Sequence, residues 1–465
     1  MLEASEKQNT DVVFELCPIE GSQGTFKILQ YSLLYSDGRA SAASAKPDSQ
    51  WLVQAFDKLI EHYPITLGHR VQQPDRNTVV VSQDDRNKQR VYQHTEDALT
   101  VAAFDQIKYR RDMWPPALSQ VLSERTADIE CLISAVIVRL CDGYLITLSV
   151  SHIVADVAGV AVLLQQWSSI AEQLLLGKPS DGGKVVPKLP VDFGHPKFWE
   201  KLKAHPPDSH PYVDHILGQD FENINEFQAK IATFYKTGTL EDDGLLAMRV
   251  LHVSAANIAK IAEQFNANSE YRPLHGVQIM YALLWQRYVV AALDVRPTAP
   301  SNDAPIFLNL LHNARGLVSS PDYVGNGVTA AYVLSTVTEI TQLSVIELAR
   351  KIKPYVNSVT PGAAVHLIEA ICDTKSMFAV KAYCAGSTAA SLMSISNASR
   401  MPFYDIDFGL GKPAAVLNGT RPTEGMAFWL PCKDGGVDIN FGLKNDIYCA
   451  LKNDKILGEL VCFVN

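Results

Sequence analysis

The sequence predicts an α/β protein of two domains, each a mixed β-sheet flanked by helices. Three observations carry this. The chain has 465 residues, beyond the size at which one hydrophobic core keeps growing, so two domains of roughly 200 residues are the natural division. Both halves alternate β-rich runs with segments of helical periodicity, and no repeat at a fixed period appears. Between them, from Gly182 to Ile216, Pro187, Pro190, Pro196, Pro206, Pro207 and Pro211 interrupt regular structure and mark a crossover. The expected division is 1–186, a linker over 187–240, and 241–465.

In order, TFKILQYSLLY (25–35) reads as a strand, and WLVQAFDKLIEHYP has apolar residues at helical spacing ended by Pro64. The charged stretch QDDRNKQR is most simply a solvated turn. Cys131 to Leu140 and Tyr144 to Val150 flank Asp142-Gly143 and predict a β-hairpin, with His152 at the end of its second strand. Val157 to Leu176 fits a buried helix that Gly177 stops. In the second half LAMRVLHV predicts a strand, AANIAKIAEQF an amphipathic helix and VQIMYALLWQRYVVAAL a more buried one. IFLNLL, SLMSIS, MAFWLP and VDINFGL complete a β-rich C-terminal third, before a short helix and a final strand.

Composition narrows the function classes. A net charge of −9 and a pI near 5.8 argue against a nucleic-acid or anionic-membrane surface as the main partner. No apolar stretch is long enough to span a bilayer, and the polar start MLEASEKQNTDVVF lacks the features of a secretory signal, so the expectation is a cytoplasmic protein. On that reading the glycosylation-like patterns at Asn397 and Asn418 are chance. The eight cysteines form no Cys-x-x-Cys pair and read as buried small hydrophobes of a reducing compartment, Cys131, Cys449 and Cys462 among them. His205, Asp208, His210, Asp214 and His215 crowd one segment, but their spacing fits no common site, and no metal is expected.

The chemistry concentrates in SHIVADVAGV, Ser151 to Val160, where a strand gives way to a helix. A neutral histidine is the side chain best suited to take a proton near pH 7, and the positive end of the helix beginning near Asp156 favours the neutral ring of His152. Taken alone, His152 is better read as a satisfied core histidine and Asp156 as a helix cap or ion-pair partner. A second element changes the balance: FYDIDFGLGKP, Phe403 to Pro413.

His-x-x-x-Asp in the first half with Asp-Phe-Gly-x-Gly near the end resembles the BAHD acyltransferases, which use coenzyme A thioesters and carry HxxxDG and DFGWG. The resemblance extends along the chain. HYPITLGHR (62–70) is similar to the family's early segment, the Trp285 helix to its central one, Pro321-Asp322-Tyr323-Val324-Gly325-Asn326 to its "YFGN" element, and ISNASRMPFYDIDFG to the run before the second motif. It implies two chloramphenicol-acetyltransferase-like domains with a solvent channel between them, HxxxD in the first and DFGxG in the second. Acyl-CoA, by default acetyl-CoA, is then a co-substrate and no cofactor is bound permanently.

On this resemblance His152 is the general base, taking a proton from a hydroxyl or amine of a small-molecule acceptor as it attacks the thioester carbonyl. Asp156 turns away from substrate and pairs with an arginine, for which Arg315 is the candidate. Ser396 matches the position that stabilises the tetrahedral oxyanion, with Asn397 beside it to assist. Asp407, Phe408, Gly409 and Gly411 form a structural loop. Ser254 matches a position near the CoA phosphates, although a serine N-cap accounts for the same residue type.

Val157 and Leu410 replace a glycine and a tryptophan of the family pattern, which suggests a divergent branch, fungal rather than plant, and Ala398 replaces a tryptophan near the oxyanion position, a change expected to alter the acyl or acceptor pocket. The default activity is acetyl transfer to a hydroxyl of a secondary metabolite by a monomer. A condensation-like enzyme is the rival within the class, opposed by Ser151 where that family carries a second histidine. A non-catalytic binding protein on the same scaffold is the rival outside it.

Overall fold

The computed structural model describes residues 11–16, 28–37, 49–72, 77–108, 110–127, 131–176, 246–267, 272–295, 301–317, 323–366, 392–420 and 423–464. The expected linker 187–240, Gly177, the His205 to His215 cluster, and Pro321 with Asp322 lie outside the described residues. Strands of the first half are β1 (Val12–Glu15), β2 (Ile28–Ser36), β3 (His69–Gln72), β4 (Asn77–Val81), β5 (Val91–Glu96), β6 (Ile133–Leu140) and β7 (Gly143–Ser151). Those of the second are β8 (Leu246–Val253), β9 (Pro305–Asn313), β10 (Val328–Thr336), β11 (Leu392–Asn397), β12 (Ala415–Asn418), β13 (Met426–Pro431), β14 (Val437–Lys444) and β15 (Cys462–Phe463).

They form a five-stranded sheet in the order β12-β2-β7-β6-β5, a seven-stranded sheet β10-β9-β11-β13-β14-β8-β15, and a small sheet β1-β4-β3. Both larger sheets are mixed. β5 runs parallel to β6, and β11 runs parallel to β9 and β13, while their other pairs are antiparallel. The expected hairpin is β6 and β7, with Ile133 opposite Val150. Their runs read as continuously apolar because the hairpin is covered on both faces. One face packs on the helices Gln50–His62 and Val157–Leu175, the other on Val101–Ile107 and Pro116–Ala127. In the second half Leu251, Leu308, Ile395, Trp429 and Ile439 of the seven-stranded sheet meet Trp285 and Tyr288 of the helix Gly276–Val295.

The second half does not stay on its own side. β12 pairs antiparallel with β2, setting Ala415 opposite Leu34, and Phe403, Ile406 and Phe408 join the first half's core. The segment counted with 241–465 by sequence therefore completes the sheet of the first half. Its partner strand lies at the other end of the chain, where no local pattern points to it.

Two local expectations are corrected. QDDRNKQR is not a free turn: Gln83–Asn87 is a short helix with a capping box at Ser82, and Asp85 is 2% exposed. Its carboxylate meets His69 Nδ1 at 2.8 Å and Lys88 Nζ at 3.0 Å, a charge cluster that offsets the desolvation of burying it. Among the described cysteines Cys131 is buried, Cys432 is partly exposed, and Cys141, Cys449 and Cys462 are exposed. Cys449 lies on the outer face of an amphipathic helix that buries Ile447, Tyr448 and Leu451, and Cys462 lies on a two-residue edge strand.

Candidate active site at the junction of the two halves

β7 ends at Ser151, and a turn closed by Val154 N–H on Ser151 O (3.0 Å) carries the chain past His152 to the helix Val157–Leu175. Asp156 is that helix's N-cap. Its Oδ1 accepts the Gly159 N–H at 2.9 Å, satisfying one of the free donors of the first turn.

The same carboxylate is gripped from the second half. Arg315 donates from Nη1 to Oδ2 (2.7 Å) and from Nη2 to Oδ1 (2.8 Å), and the Gly327 N–H donates to Oδ2 at 2.9 Å. Each carboxylate oxygen thus accepts two hydrogen bonds. Arg315 is itself held by the carbonyls of Tyr323 and Gly325 and by Asn313 Oδ1. The side chains are 2% and 7% exposed, so this is a buried bidentate ion pair with its remaining donors satisfied. Every lone pair of Asp156 is committed, and none is left for a substrate.

Burial of this pair lets the two halves approach closely. A Cβ on Gly159 would stand 2.0 Å from the carbonyl oxygen of Val324, so only glycine permits the helix to lie against the segment Tyr323 to Gly327. That contact places Asn326, fully buried, beside the histidine. Asn326 Nδ2 donates to the carbonyl oxygen of His152 (3.0 Å) and lies 2.9 Å from its Nδ1, while Asn326 Oδ1 accepts the Val328 N–H at 3.3 Å. The backbone partners fix the orientation of the amide and direct its N–H toward the ring.

Ser396 and Asn397 part company. They are successive residues of β11, and successive side chains of a strand face opposite sides. Asn397 donates from Nδ2 to Tyr281 Oη (2.7 Å) on the helix Gly276–Val295, and its Oδ1 accepts from Ser399 N (2.9 Å) and Ser399 Oγ (2.6 Å). These bonds occupy Asn397 in holding the turn after β11, so the expected assistance to Ser396 gives way to a structural part. Ser396 is partly exposed.

Asp407 builds a different site. Its Oδ1 accepts the N–H groups of Gly409 (2.7 Å), Leu410 (2.9 Å) and Gly411 (2.8 Å). Such a tight wrap needs φ of +82° and +85° at the two glycines. Phe408 is fully buried, edge-on to Tyr35 and Trp167. The Tyr35 hydroxyl donates to Ile406 O at 2.8 Å, and burial, then the Asp407 charge, raise its pKa well above the usual tyrosine value. Gly409 lies against Leu175 at the far end of the helix that Asp156 begins. The helix Val157–Leu175 is therefore fixed at both ends by the second half of the chain.

Ser254 is the N-cap of the helix Ala255–Asn266, accepting the Asn257 N–H at 3.1 Å. Its cap role is plain in the geometry. Sequence reasoning missed Asn326 and Gly159 as site residues. Asn326 stood only as part of a matched segment; the signal for Gly159 was a glycine inside an otherwise helical pattern, which points to close packing.

The Transferase family profile matches residues 97–455 of the chain. Agmatine coumaroyltransferase-1 of Hordeum vulgare is 23% identical over 309 residues, 64% of this chain and 63% of that protein. Stemmadenine O-acetyltransferase of Catharanthus roseus is 20% identical over 322 residues, 68% of this chain and 62% of that protein. The chain thus spans less than two thirds of the length of either curated relative. Among solved structures, TRI101 of F. sporotrichioides complexed with coenzyme A and T-2 is similar with a TM-score of 0.67 at 14% identity, over 97% of this chain and 100% of that one. Vinorine synthase is similar with a TM-score of 0.65 at 16% identity, over 99% of this chain and 95% of that one. At such identities the likeness is one of fold.

Proposed function

The chain belongs to the Transferase family of BAHD type, and we propose that it moves an acyl group, by default acetyl, from CoA to a hydroxyl of a small-molecule acceptor. The observation that carries this reading is the placement of His152 at the junction, at a strand end of the first half and in contact with Asn326 of the second. A channel between the halves would bring acyl-CoA and acceptor to it from opposite faces. The CoA-bound neighbour TRI101 supports the donor, and stemmadenine O-acetyltransferase, by its name, supports acetyl transfer to oxygen.

In this mechanism His152 removes the acceptor's proton as the oxygen attacks the thioester carbon, and the tetrahedral intermediate collapses by breaking the C–S bond. The proton then passes from imidazolium to the departing CoA sulfur, so that no covalent acyl-enzyme forms. Ser396, partly exposed on β11, would donate to the oxyanion. Asn326, which touches both Nδ1 and the carbonyl of His152, would hold the ring in place for the proton transfer. Asp156 and Arg315 act at one remove, fixing the turn that carries His152. In domain terms, 1–186 supplies the base and 241–465 supplies the clamp, the oxyanion donor and the CoA contacts, among which Ser254 is the candidate for phosphate.

The test is CoA release, read with a thiol reagent, from purified protein with a panel of acyl-CoAs and mixed alcohol and amine acceptors. Release that needs an acceptor is the expected result. Amine-dependent release would move the reading to N-acylation, to which the agmatine-named relative is a pointer. A silent panel together with no CoA binding by calorimetry would overturn the enzyme reading in favour of a scaffold without catalysis.

A further inference from the structure

A cluster unrelated to His152 sits where the β13–β14 hairpin meets β8. Asp438 of β14 lies opposite His252 of β8 in the ladder, and its Oδ1 is 2.8 Å from His252 Nδ1. The other ring nitrogen, Nε2, is 3.3 Å from Asp434 Oδ2 in the hairpin turn. Asp434 is fixed by its second oxygen, Oδ1, which accepts the Gly436 N–H at 2.8 Å. Cys432 closes the same turn, its N–H donating to Gly436 O at 3.2 Å. A ligand atom from each of His252, Cys432 and Asp438 lies within 4.8 Å of the other two.

We propose that His252, Cys432 and Asp438 bind a divalent transition-metal ion of the zinc class, with Asp434 orienting the imidazole from its other ring nitrogen. The donor set is one imidazole nitrogen, one sulfur and one carboxylate oxygen, with a fourth position for water, the mixture that suits zinc and disfavours magnesium or calcium. Tetrahedral zinc with bonds of about 2.0–2.3 Å puts neighbouring ligand atoms about 3.3–3.8 Å apart, so the groups need to close by about 1 Å. Asp438 is buried while His252 and Asp434 reach solvent, which supplies both a fixed ligand and a way in. Two of the three ligands come from one hairpin and the third from the neighbouring strand, so the ion ties the hairpin to β8 and to the N-terminus of the helix Ala255–Asn266 that follows it. The site is remote in role from acyl transfer and departs from the metal-free expectation of the sequence.

The experiment is calorimetric titration of Zn²⁺ into the chelator-stripped full chain, with Mg²⁺ as control, in two buffers of different ionisation enthalpy. One ion per chain is expected, with a proton released, because zinc takes cysteine as the thiolate and an ordinary thiol is protonated at neutral pH. Cys432→Ser and His252→Ala are each expected to weaken binding by about tenfold or more while leaving the circular dichroism unchanged. Cys141, Cys449 and Cys462 are exposed thiols, and zinc binding that survives in both variants would place the ion elsewhere on the chain and overturn the proposal. No zinc binding to the stripped chain would overturn it equally.

Discussion

Asp156 and Asp407 are the aspartates of the two motifs, and the protein treats them differently. Asp156 is a buried charge with a buried counter-charge, held by Arg315 from the other half of the chain. Among the described residues Asp407 has no such guanidinium grip; one oxygen gathers three successive backbone N–H groups in a partly exposed loop. The first is an ion pair between halves, whose loss strands a charge. The second is a local turn whose donors water can reach. Both act on the same helix, one at each end, which makes the helix Val157–Leu175 the mechanical link between the motifs.

The difference predicts a ranking. Arg315→Ala leaves the Asp156 carboxylate buried and unpaired and should cost about 3–5 kcal/mol in urea unfolding, with loss of activity. Asp407→Ala strands N–H groups that solvent partly recovers, about 1–3 kcal/mol. Equal losses for the two would break the comparison. Gly409→Ala forces a side chain into φ +82° with Leu175 2.6 Å from its Cβ, about 1–2 kcal/mol, and sharpens the claim that the loop bears on the helix end. Asn326→Ala should lower kcat about tenfold, equivalent to about 1.4 kcal/mol, with KM for acyl-CoA nearly unchanged, as expected of a residue acting through His152. Smallest is Asp407→Asn, which keeps an acceptor oxygen and should change stability by less than about 1 kcal/mol.

Much of this was legible from residues alone. The β6–β7 hairpin followed from two β-rich runs around Asp142-Gly143, and the helix after it from apolar spacing that begins at Val157. The Asp-Phe-Gly loop showed its glycines, and positive φ at Gly409 and Gly411 is what they supply. The long-range pieces were not legible in composition. Nothing local tells that Ala415–Asn418 leaves its own half to pair with β2, and the partner of Asp156, 159 residues away, came only from resemblance. Asp85 misled because a run of charges usually marks solvent; here His69 and Lys88, brought in by folding, make its burial tolerable. Asn397 misled because neighbours in sequence are not neighbours on a strand face.

The central claim is that His152 moves the proton while Asp156 and Arg315 only hold it in place. The most direct measurement is CoA release by His152→Ala against the unaltered chain, with unfolding followed on the same samples. The account predicts a fall of about 10²–10⁴ in kcat/KM with stability little changed. Full activity in His152→Ala would contradict it.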